Sequence, residues 1–183
     1  MVYVAIYNKK YFKFALGLTL CFLFRLIPFR PPNVEPILAT QMPFSKYFGA
    51  YAGFLFAFFS IIIFDLTTRT LGIWTLFTAS IYGLLGILAF YFFVKREPTR
   101  WNFVRFAILG TLFFDAATGL MIGPIFFEQT FFNALIGQIP FTLWHLLGNI
   151  SFAFILSPAI YNLLIKNKMK PIPIISSFNP KII

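Results

Sequence analysis

Residues 71–94, LGIWTLFTASIYGLLGILAFYFFV, give the clearest indication of the fold class of this chain. They contain no Asp, Glu, Lys, Arg or His. A helix of about 20 apolar residues is long enough to cross the hydrocarbon core of a bilayer. The stretch therefore predicts a membrane-spanning helix.

Four further apolar runs flank this stretch, and the last is long enough for a tilted span. They cover about Tyr11–Phe29, Tyr47–Phe64, Phe103–Ile122 and Ile139–Ile165. The 183 residues are 60% hydrophobic and only 11% charged, which is too little charge to cover a soluble domain. We therefore expect an all-α integral membrane bundle. Residues 1–165 would form a single transmembrane domain, and residues 166–183 a loosely ordered cytoplasmic tail.

The segment Val34–Phe44 decides the number of spans, because it is short and contains two prolines. Lys and Arg collect in cytoplasmic loops, so their distribution can decide between five and six spans. If the segment crosses, there are six spans, both termini lie inside, and 12 basic residues lie inside against 3 outside: Arg25, Arg30 and Arg69. With five spans the ratio is lower. We therefore expect six spans in the plasma membrane, the second one short, partly non-helical and sheltered by its neighbours.

Residues 123–138 separate the last two long runs and begin with Gly123-Pro124. We expect them to form an outer loop with apolar patches, or an interfacial helix. The fifth span would then end near Ile122 and the sixth would begin near Ile139.

The formal net charge is +10, a value that suggests a nucleic-acid partner for a soluble protein. Here the basic residues flank apolar runs. Attraction to the anionic inner leaflet of the membrane explains them better. We therefore expect a lipid environment and no nucleic acid.

Strongly polar side chains within spans are costly and therefore mark functional candidates. In the six-span arrangement they gather in the outer half, while the inner half carries little beyond small Ser and Thr. Asp115 requires a partner, which Arg25 or His145 could supply. Asn149 follows His145 by one helical turn on the same face. This one-sided distribution predicts a pocket open to the outside. The candidate substrate-binding residues are Arg25, Asn33, Glu35, Asp65, Trp74, Asp115, His145 and Asn149.

Several of these residues also have a purely structural interpretation. Arg25 can snorkel to the outer surface, Asp65 can cap a helix end, and Trp74 can belong to an interfacial aromatic belt. His145 can be a satisfied packing residue. Their clustering is stronger evidence than any single member.

The chain shows no motif for catalysis, metal binding or nucleotide binding. It has no Walker A motif, no HExxH zinc motif and a single cysteine, Cys21. We therefore expect no metal, no cofactor and no use of ATP by the chain itself. We also expect no enzyme, although Asp115 with His145 leaves an intramembrane enzyme as an alternative.

Four short motifs lie at the expected outer ends of the spans. They are Pro32-Asn33-Val34-Glu35-Pro36, Phe64-Asp65-Leu66, Gly72-Ile73-Trp74-Thr75, and IPFTLWHLLGN at 139–149. As a set, within a small Phe-rich chain of six spans, they resemble the S component (the substrate-binding membrane subunit) of energy-coupling factor (ECF) transporters. The resemblance covers about residues 11–165.

Such subunits capture a vitamin or related small molecule from outside. They deliver it with a shared transmembrane coupling subunit and two cytosolic ATPases of the ABC type, which use the ATP. The resemblance implies a pocket formed by Asn33, Glu35, Asp65, Trp74, His145 and Asn149.

The family often carries an Ala-x-x-x-Ala pair in the inner half of span one, where the coupling subunit docks. The nearest equivalents in this chain are looser, and they are Ala15 with Thr19 and Gly17 with Cys21. The alternative to transport is a structural membrane scaffold of the rod-shape class, with protein partners and no small ligand.

Overall fold

Six helices form the part of the chain that the structure describes. The structure is a computed structural model, and it describes residues 2–31 and 33–162. The helices are α1 (Val2–Arg25), α2 (Ile37–Phe48), α3 (Ala50–Thr68), α4 (Ile73–Val94), α5 (Arg100–Phe126) and α6 (Phe131–Ile160). No strand occurs in these residues, so the all-α prediction is confirmed. The predicted tail, 166–183, lies outside the described residues.

Four of the helices, α3 to α6, are long and apolar enough to cross a membrane. Their mean hydropathy lies between 1.5 and 1.9. Among the described helices these four alone meet both conditions. A helix satisfies its own backbone hydrogen bonds, and this is why long apolar helices are stable in lipid. The chain is therefore a multi-pass membrane protein in its architecture.

α5 and α6 are longer than predicted and leave almost no loop between them. α5 continues through Gly123-Pro124 to Phe126, and α6 begins at Phe131. The prediction of an outer loop over residues 123–138 is therefore wrong, because only residues 127–130 are non-helical. A proline removes one backbone donor, and neighbouring helices in a membrane bundle can compensate for that loss.

The short helix α2 is enclosed by the rest of the bundle. Every residue from Ile37 to Ser45 is buried, and α2 packs mainly against α3, α4 and α6. The helix runs unbroken through Pro43, while residues 33–36 ahead of it are non-helical. The prediction of a short, sheltered element is confirmed. Its irregular part precedes the helix rather than interrupting it.

Short connections make successive helices antiparallel and give the bundle two different ends. The pocket end contains segments 26–31 and 33–36 and the connections 69–72 and 127–130. The basic end contains loop 95–99 and Gly49, whose φ of +99° favours glycine because a side chain would be strained there. Cations at the basic end include Lys46, Lys95, Arg96 and Arg100.

Aromatic rings fill much of the core between the helices. The ring centroids of Tyr82 on α4 and Phe114 on α5 lie 4.5 Å apart, and those of Phe93 and Phe103 lie 4.9 Å apart. Aromatic pairs at such separations add to the stabilisation from burial. The side chains that reach the pocket end are thereby held on well-packed helices.

Candidate binding pocket at one end of the bundle

A cavity of about 430 Å³ opens between α1 and α3–α6 at the pocket end. Five of the eight predicted site residues line it: Arg25, Asn33, Glu35, Asp65 and His145. The other lining residues are Arg30, Ile61, Thr78, Tyr82, Phe114, Thr118, Gly119, Ile122, Gly123, Phe127, Gln138 and Phe141. The wall therefore combines charged groups from one side of the bundle with aromatic rings from the other.

Arg25 and Glu35 form a buried ion pair in the wall of this cavity. Arg25 Nε lies 2.9 Å from Glu35 Oε2, and the two side chains are only 8% and 9% exposed. Arg25 Nη1 donates to the backbone oxygen of Ser60 at 2.8 Å, and the guanidinium lies 3.9 Å from the Phe64 ring centroid. Arg25 therefore points into the bundle and does not snorkel to the surface.

Arg30 joins the same cluster and fixes the segment before α2. Its Nη2 lies 3.8 Å from Glu35 Oε2, and its Nε and Nη1 donate to the backbone oxygens of Arg25 and Val34. One carboxylate thus faces two guanidinium groups. The cluster carries a net positive charge and holds an irregular segment in one place.

Asp115 and His145 form a second buried pair. Asp115 Oδ1 lies 2.7 Å from His145 Nδ1, and both residues are 2% exposed. Of the two partners that the sequence allowed for Asp115, the structure selects His145. Asp115 lies behind the ring and does not itself line the cavity.

The His145 ring is held edge-on between Phe114 and Phe141, with centroids 5.7 and 5.9 Å away. Its Nδ1 is occupied by Asp115, and its Nε2 has no hydrogen-bond partner among the described residues. Because the ring lines the cavity, Nε2 is available to a ligand. It can accept a hydrogen bond when the ring is neutral and donate one when it is protonated.

Asp65 has both a structural and a pocket position. Its Oδ2 accepts a hydrogen bond from Thr75 Oγ1 at 2.7 Å, and Thr75 Oγ1 in turn accepts one from Gly72 N. The backbone oxygen of Asp65 accepts from the residues that end α3, including Arg69 in the left-handed conformation. Asp65 therefore ties α3 to α4 while its side chain lines the cavity.

Trp74 and Asn149 lie outside the cavity wall. Trp74 is 40% exposed and packs against Phe127, with centroids 5.8 Å apart. Asn149 is buried one turn beyond His145 and donates from Nδ2 to Thr111 Oγ1 at 2.8 Å. Three of the eight predicted residues, Trp74, Asp115 and Asn149, therefore do not line the cavity.

The four predicted docking residues on α1 do not form one surface. Gly17 and Cys21 are buried against α2, where Gly17 packs on Phe44 and Cys21 Sγ donates to Thr40 Oγ1 at 3.4 Å. Ala15 and Thr19 lie on the exposed face of the same helix. The prediction of a single docking surface is corrected accordingly. Gly17 and Cys21 make contacts inside the bundle, whereas Ala15 and Thr19 lie on its outside.

Several lining residues were not predicted from the sequence. Gln138 lies in the segment that was expected to be an outer loop or an interfacial helix, and its amide packs where Gly119 leaves room. Gln138, Phe141 and His145 are spaced three and four residues apart, which places them on one face of a helix. The sequence contains this spacing, which could have indicated that Gln138 faces the pocket. It places the three residues on one face only if residues 131–138 are helical, and the sixth span was not expected to begin there.

Comparison of the chain with protein-family models, with curated proteins and with solved structures finds no match. The fold and the pocket are those of a multi-pass helical membrane protein with a polar, aromatic-lined cavity at one end of its bundle. Within residues 2–31 and 33–162, no three His, Cys, Asp or Glu side chains come together as metal ligands.

Proposed function

We propose that this protein captures a small, vitamin-like molecule from outside the cell as the substrate-binding subunit of an ECF-type ABC importer. The observation that carries the proposal is the cavity of about 430 Å³ at one end of a bundle of apolar helices. Binding pockets for small molecules are commonly about 300–1,000 Å³, largely apolar and supplied with a few convergent polar groups.

The lining matches a ligand that has a flat apolar part and a few polar atoms. Phe114, Phe127 and Phe141 offer ring faces and edges to the apolar part. Glu35 and His145 present polar atoms beside them, on side chains that buried partners hold in place. Such pre-organisation reduces the entropy lost when a ligand binds.

The proposed importer needs partners, because the sequence has no Walker A motif. A transmembrane coupling subunit and two ATPases would supply the energy, and the exposed Ala15–Thr19 face of α1 is available to the coupling subunit. In this proposal the protein lies in the plasma membrane with six crossings and both termini in the cytoplasm. The pocket end then faces outward.

The test is native mass spectrometry of the purified protein, with a pair of matched variants. Thr78→Phe places a ring in the cavity without breaking a long-range hydrogen bond, because among the described residues the Thr78 hydroxyl bonds only to its own helix. Thr67→Phe is the control, because the Thr67 hydroxyl also bonds only to its own helix within residues 2–31 and 33–162, and the residue is exposed outside the cavity.

We expect a small molecule to leave the wild-type protein and Thr67→Phe on activation, and to be missing from Thr78→Phe. Retention of the molecule by Thr78→Phe would show that it binds elsewhere. If no small molecule binds wild type, either on purification or from a cell extract, the proposal fails and a structural scaffold becomes the better interpretation. Co-purification with ATPases would favour transport, and co-purification with cell-wall machinery would favour the scaffold.

The contact between Asp115 and His145 supports one second candidate, an intramembrane enzyme. A histidine oriented by a carboxylate can act as a general base. Among the described residues, however, no hydroxyl or thiol is hydrogen-bonded to His145 Nε2 as a nucleophile would be. The recovered molecule decides between the two: a binder releases it chemically unchanged, whereas an enzyme converts it on incubation.

A further inference from the structure

Buried polar atoms without a partner continue from the pocket into the middle of the bundle. Proteins pair nearly all buried polar groups with other protein groups or with ordered water. Six buried side-chain atoms have no hydrogen-bond partner among the described residues, and one of them, Arg25 Nε, is in the ion pair with Glu35. The other five are Asp115 Oδ2, Tyr82 Oη, Asn149 Oδ1, Gln41 Oε1 and Ser45 Oγ.

The first three of these atoms lie at and just beyond the floor of the pocket. Tyr82 lines the cavity, and Asp115 lies behind the His145 ring. Asn149 lies about 6 Å beyond His145 along α6, since each helical residue rises about 1.5 Å. The Asn149 side chain lies near the Tyr82 hydroxyl.

Gln41 and Ser45 extend the series towards the basic end. Gln41 Nε2 donates to the backbone oxygens of Tyr82 and Gly53, at 2.9 and 3.1 Å, while its Oε1 has no partner among the described residues. Ser45 lies one turn further along α2, beside Gly53. The next residue, Lys46, donates from Nζ to a backbone oxygen at the end of α4, at 2.7 Å.

Water is the ligand that fits this series of atoms. The five residues come from α2, α4, α5 and α6, and none is more than 2% exposed. A buried water makes two to four hydrogen bonds to polar groups that otherwise lack them, and it is small enough to fit between packed helices. An apolar ligand would leave every one of these atoms unpaired.

We propose that bound water pairs with these five atoms, so that hydration continues from the pocket as a file through the bundle to Ser45. This inference goes beyond substrate capture, because hydrogen-bonded water in the file would link the Asp115–His145 pair to Ser45, which lies nearer the basic end. It also changes the distribution of polar groups expected from the sequence. Gln41, which is 0% exposed, lies in the part of the bundle that was expected to carry only small polar residues.

The test is the reaction of introduced thiols with silver ions, which travel through water and not through apolar packing. The only cysteine is first removed by Cys21→Ala. Ser45→Cys and Asn149→Cys then report on the file. Ala89→Cys is the control, because Ala89 is equally buried on α4 but belongs to the apolar core cluster.

The purified variants are treated with silver and then denatured, and the remaining thiol is counted with a fluorescent maleimide. We expect silver to remove nearly all later labelling of Ser45→Cys and Asn149→Cys and to leave Ala89→Cys fully labelled. Full labelling of Ser45→Cys would overturn the proposal, and so would equal protection of Ala89→Cys, which would indicate general opening. Melting temperatures show that each variant is folded. The result does not depend on any substrate, so it stands apart from the test of substrate capture.

Discussion

Arg25 and Glu35 show why ionisable residues in apolar runs are informative. A charge buried in a membrane bundle is stable only beside an opposite charge or a strong hydrogen-bond partner. The sequence could therefore predict that both residues lie in one polar site. It could not predict that they pair with each other, because Asp115 was an equally suitable partner for Arg25 until the helices were placed.

Replacing Glu35 by Gln removes the one carboxylate that pairs with Arg25 and Arg30 in the part of the chain that the structure describes. Two cations are then left close together and one of them remains buried. We expect a loss of about 3 kcal/mol in the free energy of unfolding. Chemical denaturation in micelles measures this loss. The matched control is Glu97→Gln, an exposed position that should change stability by less than about 0.5 kcal/mol. Equal effects at both positions would show that the cluster is not stabilising.

Replacing His145 by Leu leaves the Asp115 carboxylate buried without its hydrogen-bond partner. We expect a loss of about 3 kcal/mol or more in stability. Adding Asp115→Leu should recover most of that loss, because an apolar pair then replaces a buried polar pair and no carboxylate is left without a partner. The double variant should still fail to retain the small molecule. If the double variant is as unstable as His145→Leu, the two residues do not act as a pair.

The Tyr82 hydroxyl distinguishes a hydrated interior from a dry one. Its oxygen is buried and has no hydrogen-bond partner among the residues that the structure describes. If water pairs with it, Tyr82→Phe should cost about 1 kcal/mol of stability. If the hydroxyl is dry, the same change should be neutral or stabilising. Tyr91→Phe, at a residue 63% exposed, serves as the control in the same denaturation series.

Among the helices, the sequence predicts best the ends of those that are marked by a clear change in hydropathy. The apolar runs that became α3 and α4 were placed within a few residues of their observed ends. The start of α6 was missed by eight residues, because residues 123–138, which begin with Gly123-Pro124, were expected to separate the last two spans. Prolines break helices in water more reliably than in a bundle where other groups take over the lost hydrogen bond. The same error removed Gln138 from the predicted pocket.

Glycines on α3 and α4 permit the close approach that buries α2. A Cβ on Gly86 would collide with the backbone of Gly53 and with the Gln41 amide. We expect Gly86→Ala to cost about 1–3 kcal/mol through this overpacking. Gly137→Ala is the control, because nothing lies within 4 Å of a Cβ there, and it should gain about 0.5–1 kcal/mol from the better helix former. Thermal unfolding of the two variants in micelles should therefore shift in opposite directions, and two equal losses would contradict the close contact.

At the scale of the whole molecule, the two ends of the bundle differ in charge. Cations at the basic end are mostly solvent-facing, as Lys95 and Arg96 are, whereas Arg25 at the pocket end is buried in an ion pair. Only cations near the membrane surface attract the anionic inner leaflet. The sequence places 3 basic residues on the pocket side, and one of them, Arg25, is not at the surface. Its burial therefore strengthens the difference in surface charge between the two ends.

This asymmetry predicts that the basic end faces the cytoplasm and the pocket end faces outward. Single cysteines at Glu97 and Gln129, in the Cys21→Ala background, lie in exposed connections at opposite ends. In intact cells a membrane-impermeant maleimide should label Gln129→Cys, whereas Glu97→Cys should require permeabilisation. Because α4 and α5 connect at loop 95–99 and α5 and α6 connect at 127–130, the two positions are separated by one crossing. Labelling of both from the same side would contradict the crossing of α5, and labelling in the reverse order would place the pocket on the cytoplasmic side, where it could not capture a substrate from outside.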